Sequence, residues 1–194
     1  AFCNTTIIGC NTRKYHGLLV VPQPQLDNYN HVLLSSIDET VIVNKEEFHF
    51  GVHQYEDGTI MPSGHKYLRE FSAEPIPTLL YRVGGAKITK EYIFAENESR
   101  IYIRYNVVEA VQPITLRLTP FLAFRNVHSL THENHDANRK YTPLKNGASW
   151  QMYENYDSLC LQISKSAEYT HAPLWYYKVF YIREFERGYD AVED

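Results

Sequence analysis

Apolar residues in this chain recur mostly at every second position, which is the spacing of β-strands. Between residues 100 and 108 the apolar side chains alternate with Tyr102, Arg104 and Asn106, and residues 114–119 alternate in the same way. A period of two places the apolar side chains on one face of a strand, whereas a helix would need spacings of three and four. The pattern therefore predicts two half-buried antiparallel strands.

Shorter apolar runs that end at turn residues predict further strands. Residues 79–83 and 86–94 flank Gly84-Gly85, which is typical of a hairpin. The other predicted strands are 18–21, 32–34, 41–43, 150–153, 159–163 and 174–182. Only residues 183–194 show helical character, and it is weak. Many short strands with frequent turns predict an all-β fold, a large antiparallel β-sandwich, with residues 1–194 as a single domain.

The charge and hydropathy of the chain argue against two classes of partner. Lysine and arginine number 19 against 23 aspartates and glutamates, and the net charge is −4. Because no basic run occurs, nucleic-acid binding is not expected. No apolar stretch reaches the roughly 20 residues that span a bilayer, so a membrane partner is not expected either.

The cysteines and tyrosines add two further expectations. Cys3, Cys10 and Cys160 are an odd number without CxxC spacing, which favours free thiols in a reducing compartment and predicts a cytoplasmic protein. The chain also has 16 tyrosines, which suit either strand packing or a surface that stacks on sugars. Strand packing is the commoner of these two uses.

No set of residues in the sequence makes a complete catalytic or metal site. His128, His132 and His135 lie close in the chain, but they miss the HExxH spacing in a region that reads as loop, so we expect no metal. Asp38-Glu39 is an adjacent carboxylate pair, but neighbours on a strand point to opposite faces and cannot act on one bond. The acidic residues after position 183 are interpreted as a solvated or interdomain tail. We therefore assign no catalytic residue and no cofactor.

A polar segment precedes the first predicted strand. Residues 13–16, Arg-Lys-Tyr-His, stand directly before Gly17 and the apolar run 18–21. Polar groups packed at the start of a buried strand need partners, because each unpaired buried group costs about 1–3 kcal/mol. The partners lie either within the domain itself or on a ligand or neighbouring domain.

Three segments carry a resemblance to a known family. Residues 11–19, Asn-Thr-Arg-Lys-Tyr-His-Gly-Leu-Leu, are similar to the N-terminal signature of prokaryotic-type glycogen debranching enzymes. Residues 118–128, which contain Pro120, Arg125 and His128, resemble a second family segment, although Asn126 stands where many members have an acidic residue. Residues 175–194 resemble the segment that leads out of the family's N-terminal domain.

The resemblance implies an accessory domain within a longer enzyme. The family's N-terminal domain is a mutarotase-like β-supersandwich, followed by an (α/α)6-barrel domain that holds the hydrolytic carboxylates. Since the chain also starts without a methionine, we expect a piece of such a protein. The implied parent is an amylo-α-1,6-glucosidase that hydrolyses α-1,6 branch linkages in glycogen. The implied partners of this chain are its own C-terminal catalytic domain and glycogen or another branched α-glucan, and the chain alone is not expected to be catalytic.

Two functions of other classes remain open from the sequence. The first is a stand-alone carbohydrate-binding module that stacks sugars on Trp175 and Tyr176. The second is a mutarotase-like sugar epimerase that uses a histidine with a carboxylate. A shared fold alone is weak evidence for either activity.

The resemblance and the polar segments together give six candidates for contact with substrate or with the catalytic domain. They are Arg13, Tyr15, His16, Arg125, His128 and Trp175. We expect the polar members to lie on one side of the sandwich and to face outward. The alternative is that they complete the hydrogen-bond network of the domain itself.

Overall fold

The computed structural model describes residues 1–194 and consists almost entirely of antiparallel β-strands. Two larger sheets form the body of the protein, and three sheets of two or three strands lie around them. The predicted all-β antiparallel sandwich is therefore confirmed. The structure has no helix with the length and apolar character needed to span a lipid bilayer.

The first sheet is built on β3 (Asn30–Val43), the longest strand. β11 (Ile114–Asn126) pairs along one edge of β3. β2 (Gly17–Pro22) and β4 (Glu46–His49) pair with the two ends of the other edge. β1 (Phe2–Asn4) extends the sheet beyond β2.

The second sheet follows the chain from strand to strand. Its order is β7 (Leu68–Ser72), β8 (Thr78–Val83), β9 (Ala86–Phe94) and β10 (Ile101–Ala110). The smaller elements are β5 (Val52–Gln54), β6 (Ile60–Ser63), a 3-10 helix (Gly64–Tyr67), β12 (Thr142–Leu144), β13 (Gly147–Trp150), β14 (Leu159–Gln162), β15 (Val179–Phe180), α1 (Ile182–Phe185) and β16 (Val192–Glu193).

The two larger sheets pack face to face and bury apolar side chains between them. One core cluster joins Val41 and Val43 of β3 to Tyr81 and Ile88 of the second sheet. A second cluster joins β2 and β3 to Phe124 of β11, with side chains of β9 and β10 packed against it. Each large apolar side chain buried in this way contributes about 1.5–3 kcal/mol, so these contacts hold the sheets together.

A buried polar network crosses the space between the sheets. Glu39 of β3 and Lys90 of β9 are 2% and 6% exposed and form an ion pair, and the hydroxyl of Tyr105 donates a 2.6 Å hydrogen bond to Glu39. Burial, the largest single influence, would lower the pKa of Lys90, but Glu39 and the neighbouring tyrosines together outweigh it, and the pKa is raised well above its ordinary value. Asp38 points the other way and pairs with His53, so the prediction that Asp38 and Glu39 face opposite sides is confirmed.

The predicted two-glycine hairpin is confirmed between β8 and β9. Gly84 and Gly85 have φ angles of +52° and +77°, which residues other than glycine adopt only at a cost in energy. Two successive positive φ angles match the tight hairpin turn that follows the natural twist of the strands. Val83 pairs with Ala86 across this turn, which sets the register of both strands.

The predicted strand 174–182 is wrong over most of its length. Residues 164–178 form no regular secondary structure, and only Val179–Phe180 pair, with β16. The segment has apolar residues, but its backbone forms no hydrogen bond with another strand before Lys178. We call residues 164–178 the arm. The weak helical character after residue 183 corresponds to one turn, α1.

All three cysteines are free, and their environments differ. Cys3 and Cys10 are shielded, and burial raises the pKa of Cys3 to about 11, whereas Cys160 is exposed. Because the thiolate is the reactive form, we expect a thiol reagent at pH 8 to modify Cys160 quickly and the other two slowly in the folded chain. After denaturation without reductant, titration should find three thiols. A single thiol in the denatured sample would contradict this prediction.

Candidate functional site

The three segments that resemble the debranching family meet at one place in the structure. The loop before β2 contains residues 12–16, β11 brings Arg125, and the last elements of the chain are α1 and β16. The N–H of Arg183 on α1 donates to the carbonyl of Thr12 at 3.0 Å. Segments separated by more than a hundred residues therefore form one cluster.

Arg125 is the centre of this cluster. It is 2% exposed and forms an ion pair with Glu193 of β16. Its Nη1 donates a 2.7 Å hydrogen bond to the carbonyl of Lys14. Tyr181, also buried, donates its hydroxyl to Glu193. Burial, the largest single influence, would lower the pKa of Arg125, but Glu193 and Tyr181 together outweigh it and raise the pKa, so the guanidinium stays charged.

Glu184 holds the same loop from the other side. Its side chain is fully buried, and its Oε1 accepts a hydrogen bond from the backbone N–H of Lys14 at 3.3 Å. Lys14 thus has its N–H bound by Glu184 and its carbonyl bound by Arg125. The interpretation of this acidic segment as a solvated tail is wrong for Glu184 and Glu193, because both carboxylates are inside the domain.

His16 completes the inner side of the loop. It is 8% exposed, and its Nδ1 accepts a 3.1 Å hydrogen bond from the N–H of Thr12. Burial, followed by the charge of Arg13, lowers the pKa of His16. The imidazole is therefore neutral at pH 7, as an acceptor nitrogen requires.

The outer side of the cluster is a surface of rings and cations. The Tyr15 hydroxyl lies 3.1 Å from Nδ1 of His128, and Tyr29 packs edge-on against the same imidazole at 5.6 Å. Lys14 Nζ lies 4.8 Å from the ring centre of Tyr189, a distance typical of cation–π contact. The motif surface is defined here by Arg13, Lys14, Tyr15, Tyr29, His128 and Tyr189.

The structure thus divides the six predicted contact residues into three groups. Arg13, Tyr15 and His128 belong to the motif surface, whereas Trp175 lies apart from it on the arm, beside an open cleft. The expected outward orientation is wrong for His16 and Arg125. Both side chains are buried, and their polar atoms bind Thr12, Lys14 and Glu193 of the same domain. Contact of any of these residues with a partner stays a prediction.

The remaining histidines of the region are dispersed. His132 lies 3.3 Å from Asp194 and 3.8 Å from Asp190, while His128 is engaged with Tyr15. Across the chain, no group of three or more histidine, cysteine, aspartate or glutamate side chains is arranged to hold a metal ion. The contacts observed within the cluster are hydrogen bonds, ion pairs and ring contacts.

Sequence reasoning missed Tyr181, Glu184 and Glu193 as members of the cluster. The sequence held only a weak signal, since Tyr181 stands in the apolar run Val179 to Ile182 and Glu193 follows Ala191 and Val192. A buried carboxylate needs a cation as its partner, but the sequence does not single out Arg125 for Glu193.

Comparison with protein families matches residues 1–194 to the family described as glycogen debranching enzyme N terminal. No curated protein and no solved structure matches the chain. The family match spans every residue, including the three segments that the fold brings together. The chain therefore belongs to the glycogen debranching enzyme N-terminal family.

Proposed function

We propose that this chain is a non-catalytic accessory domain of a cytoplasmic debranching enzyme that hydrolyses α-1,6 branch linkages in glycogen. In this proposal residues 1–194 are one domain that packs on a following (α/α)6-barrel catalytic domain and contributes to glucan binding. The observation that carries the proposal is the convergence of the three family-like segments on the motif surface.

The buried half of the cluster gives the motif surface a fixed shape. Arg125 and Glu184 bind the backbone of Lys14 from two sides, so the neighbouring Arg13 and Tyr15 are presented from a rigid loop. Rigid presentation lowers the ordering cost of association. Tyrosine and arginine are also the residue types that contribute most at protein interfaces. These properties support a domain contact at this surface.

The outward tyrosines provide the test of this contact. Tyr29 and Tyr189 are 57% and 53% exposed, so replacing both with alanine should change the free energy of unfolding by no more than about 0.5 kcal/mol each. Calorimetry should show that the double variant binds the separately produced catalytic domain of the parent at least about tenfold more weakly, as expected for central interface residues.

Tyr102 supplies a matched control, since it is 49% exposed and lies on β10, in the other sheet. The variant Tyr102→Ala should bind the catalytic domain like the unmodified chain. Equal affinities for the double variant and the control would overturn the proposed docking at the motif surface.

A further inference from the structure

A second surface of exposed rings lies on the arm and shares no residue with the motif surface. Tyr176 and Tyr177 are 41% and 51% exposed. With Tyr55 next to β5 and Met61 and Pro62 of β6 they line an open groove. Glu56, Asp57 and Lys178 supply polar groups at the same groove.

The backbone that carries these rings is anchored although it forms no strand. Tyr55 and Val179 form an isolated β-bridge, and the N–H of Glu56 donates to the carbonyl of Lys178 at 3.1 Å. The N–H of Lys178 donates to Asp194 at 3.1 Å. Lys178 has a φ of +63°, an uncommon conformation for a residue other than glycine. Such strain persists only where the surroundings enforce it, and it is commonest at binding sites.

The ring of Tyr176 is also held from beneath. It packs edge-on against Phe121 with 4.7 Å between ring centres, and His53 lies 6.1 Å away. His53 itself packs on Phe121, and its Nε2 lies 2.9 Å from both carboxylate oxygens of Asp38. The Asp38 carboxylate lies directly against Gly51, where a side chain would collide with it. The Asp38–His53 pair is a positioning element for Tyr176.

We propose that the groove between Tyr55, Tyr176 and Tyr177 binds a segment of linear α-glucan, as a site separate from the motif surface. One face of a pyranose ring presents C–H groups, which pack on phenol rings, while its hydroxyls can donate hydrogen bonds to carboxylates such as those of Glu56 and Asp57. An anchored pair of rings loses little freedom on binding. The choice of an α-glucan as the ligand rests on the proposed function, whereas the position of the binding site is inferred from the residues that line the groove.

Maltoheptaose is a suitable probe, with binding to the 194-residue chain measured by calorimetry and by NMR. The variant Tyr177→Ala should bind at least about tenfold more weakly, because it removes one of the exposed rings that line the groove. The equally exposed Tyr102→Ala should bind like the unmodified chain. In the NMR spectra, maltoheptaose should shift the ring signals of Tyr176 and leave those of Tyr102 in place.

A separate measurement tests whether Asp38 and His53 hold the ring of Tyr176 in place. The variant Asp38→Ala should shift the Tyr176 ring signals of the folded, sugar-free protein and weaken maltoheptaose binding. Asp38→Asn keeps one oxygen acceptor for the N–H of His53 and should restore most of the affinity. A merely structural pair would lower the melting temperature of Asp38→Ala without moving the Tyr176 signals.

The two proposals fail in different assays. Loss of catalytic-domain binding in the Tyr29 and Tyr189 double variant, with maltoheptaose binding intact, supports two separate sites. No maltoheptaose binding by the chain, or undiminished binding by Tyr177→Ala, overturns the groove proposal and leaves the docking proposal untouched. If maltoheptaose binding is lost in the double variant and kept in Tyr177→Ala, the sugar binds at the motif surface, and the groove proposal is overturned.

Discussion

The variant Arg125→Ala is expected to lose about 3–5 kcal/mol of stability, the typical cost of breaking a buried ion pair by removing one partner. Arg125 is 2% exposed, and its removal leaves Glu193 charged and dry beside Tyr181. The carbonyl of Lys14 also loses its donor. Chemical denaturation followed by tryptophan fluorescence measures the change in the free energy of unfolding.

Arg117 is the control for this variant. It forms an ion pair with Glu47, but the two side chains are 48% and 40% exposed. Exposed pairs contribute about 0.2–1 kcal/mol, so Arg117→Ala should be nearly as stable as the unmodified chain. Similar losses in Arg117→Ala and Arg125→Ala would show that the cluster around Arg125 is not a buried network.

The second large effect is expected at Glu39. The variant Glu39→Ala leaves the ammonium of Lys90 buried without its counter-charge and Tyr105 without its acceptor. The expected loss is again about 3–5 kcal/mol. Replacing both charges, as Glu39→Leu with Lys90→Met, should restore much of it, since an apolar pair of similar size is often neutral or stabilising there.

The pH dependence follows from the direction of the shift at Lys90. Its pKa in the folded state is raised above the ordinary value of 10.5, so the stabilisation from its charge is complete below that pH and is lost as pH rises through the folded pKa. Denaturation curves from about pH 7 to 10 should therefore give a constant difference between the unmodified chain and the Glu39→Leu, Lys90→Met variant. A difference that disappears well below pH 10 would contradict the raised pKa.

Local periodicity was sufficient for the strands whose two faces have different surroundings. Ile101 to Val107 alternate because one face meets the core, and the hairpin at Gly84-Gly85 follows from the turn itself. The arm was predicted wrongly because apolar content alone does not form a strand, and its rings pack on Phe121 or face solvent instead. Whether another strand lies close enough to pair with residues 174–182 depends on the whole fold and is not encoded in the sequence of that segment.

The candidate site was predictable in its parts but not in its orientation. The segments around Arg13 and Arg125 were identified as polar positions at strand ends, and the structure brings them together. Which side chains face inward depends on Glu184 and Glu193, which lie far along the chain from residues 13–16. Sequence spacing cannot show that a carboxylate so distant will bury a particular arginine.

The bond between the Lys14 N–H and Glu184 joins residues 170 positions apart. At a synthesis rate of about 5–20 residues per second, roughly ten to thirty seconds pass between the addition of Lys14 to the growing chain and the addition of Glu184. Until residue 184 has been made, the N–H of Lys14 lacks its native acceptor. Closure of the cluster therefore has to wait for α1, and a ribosome stalled before residue 184 would carry a chain whose motif surface is not yet shaped.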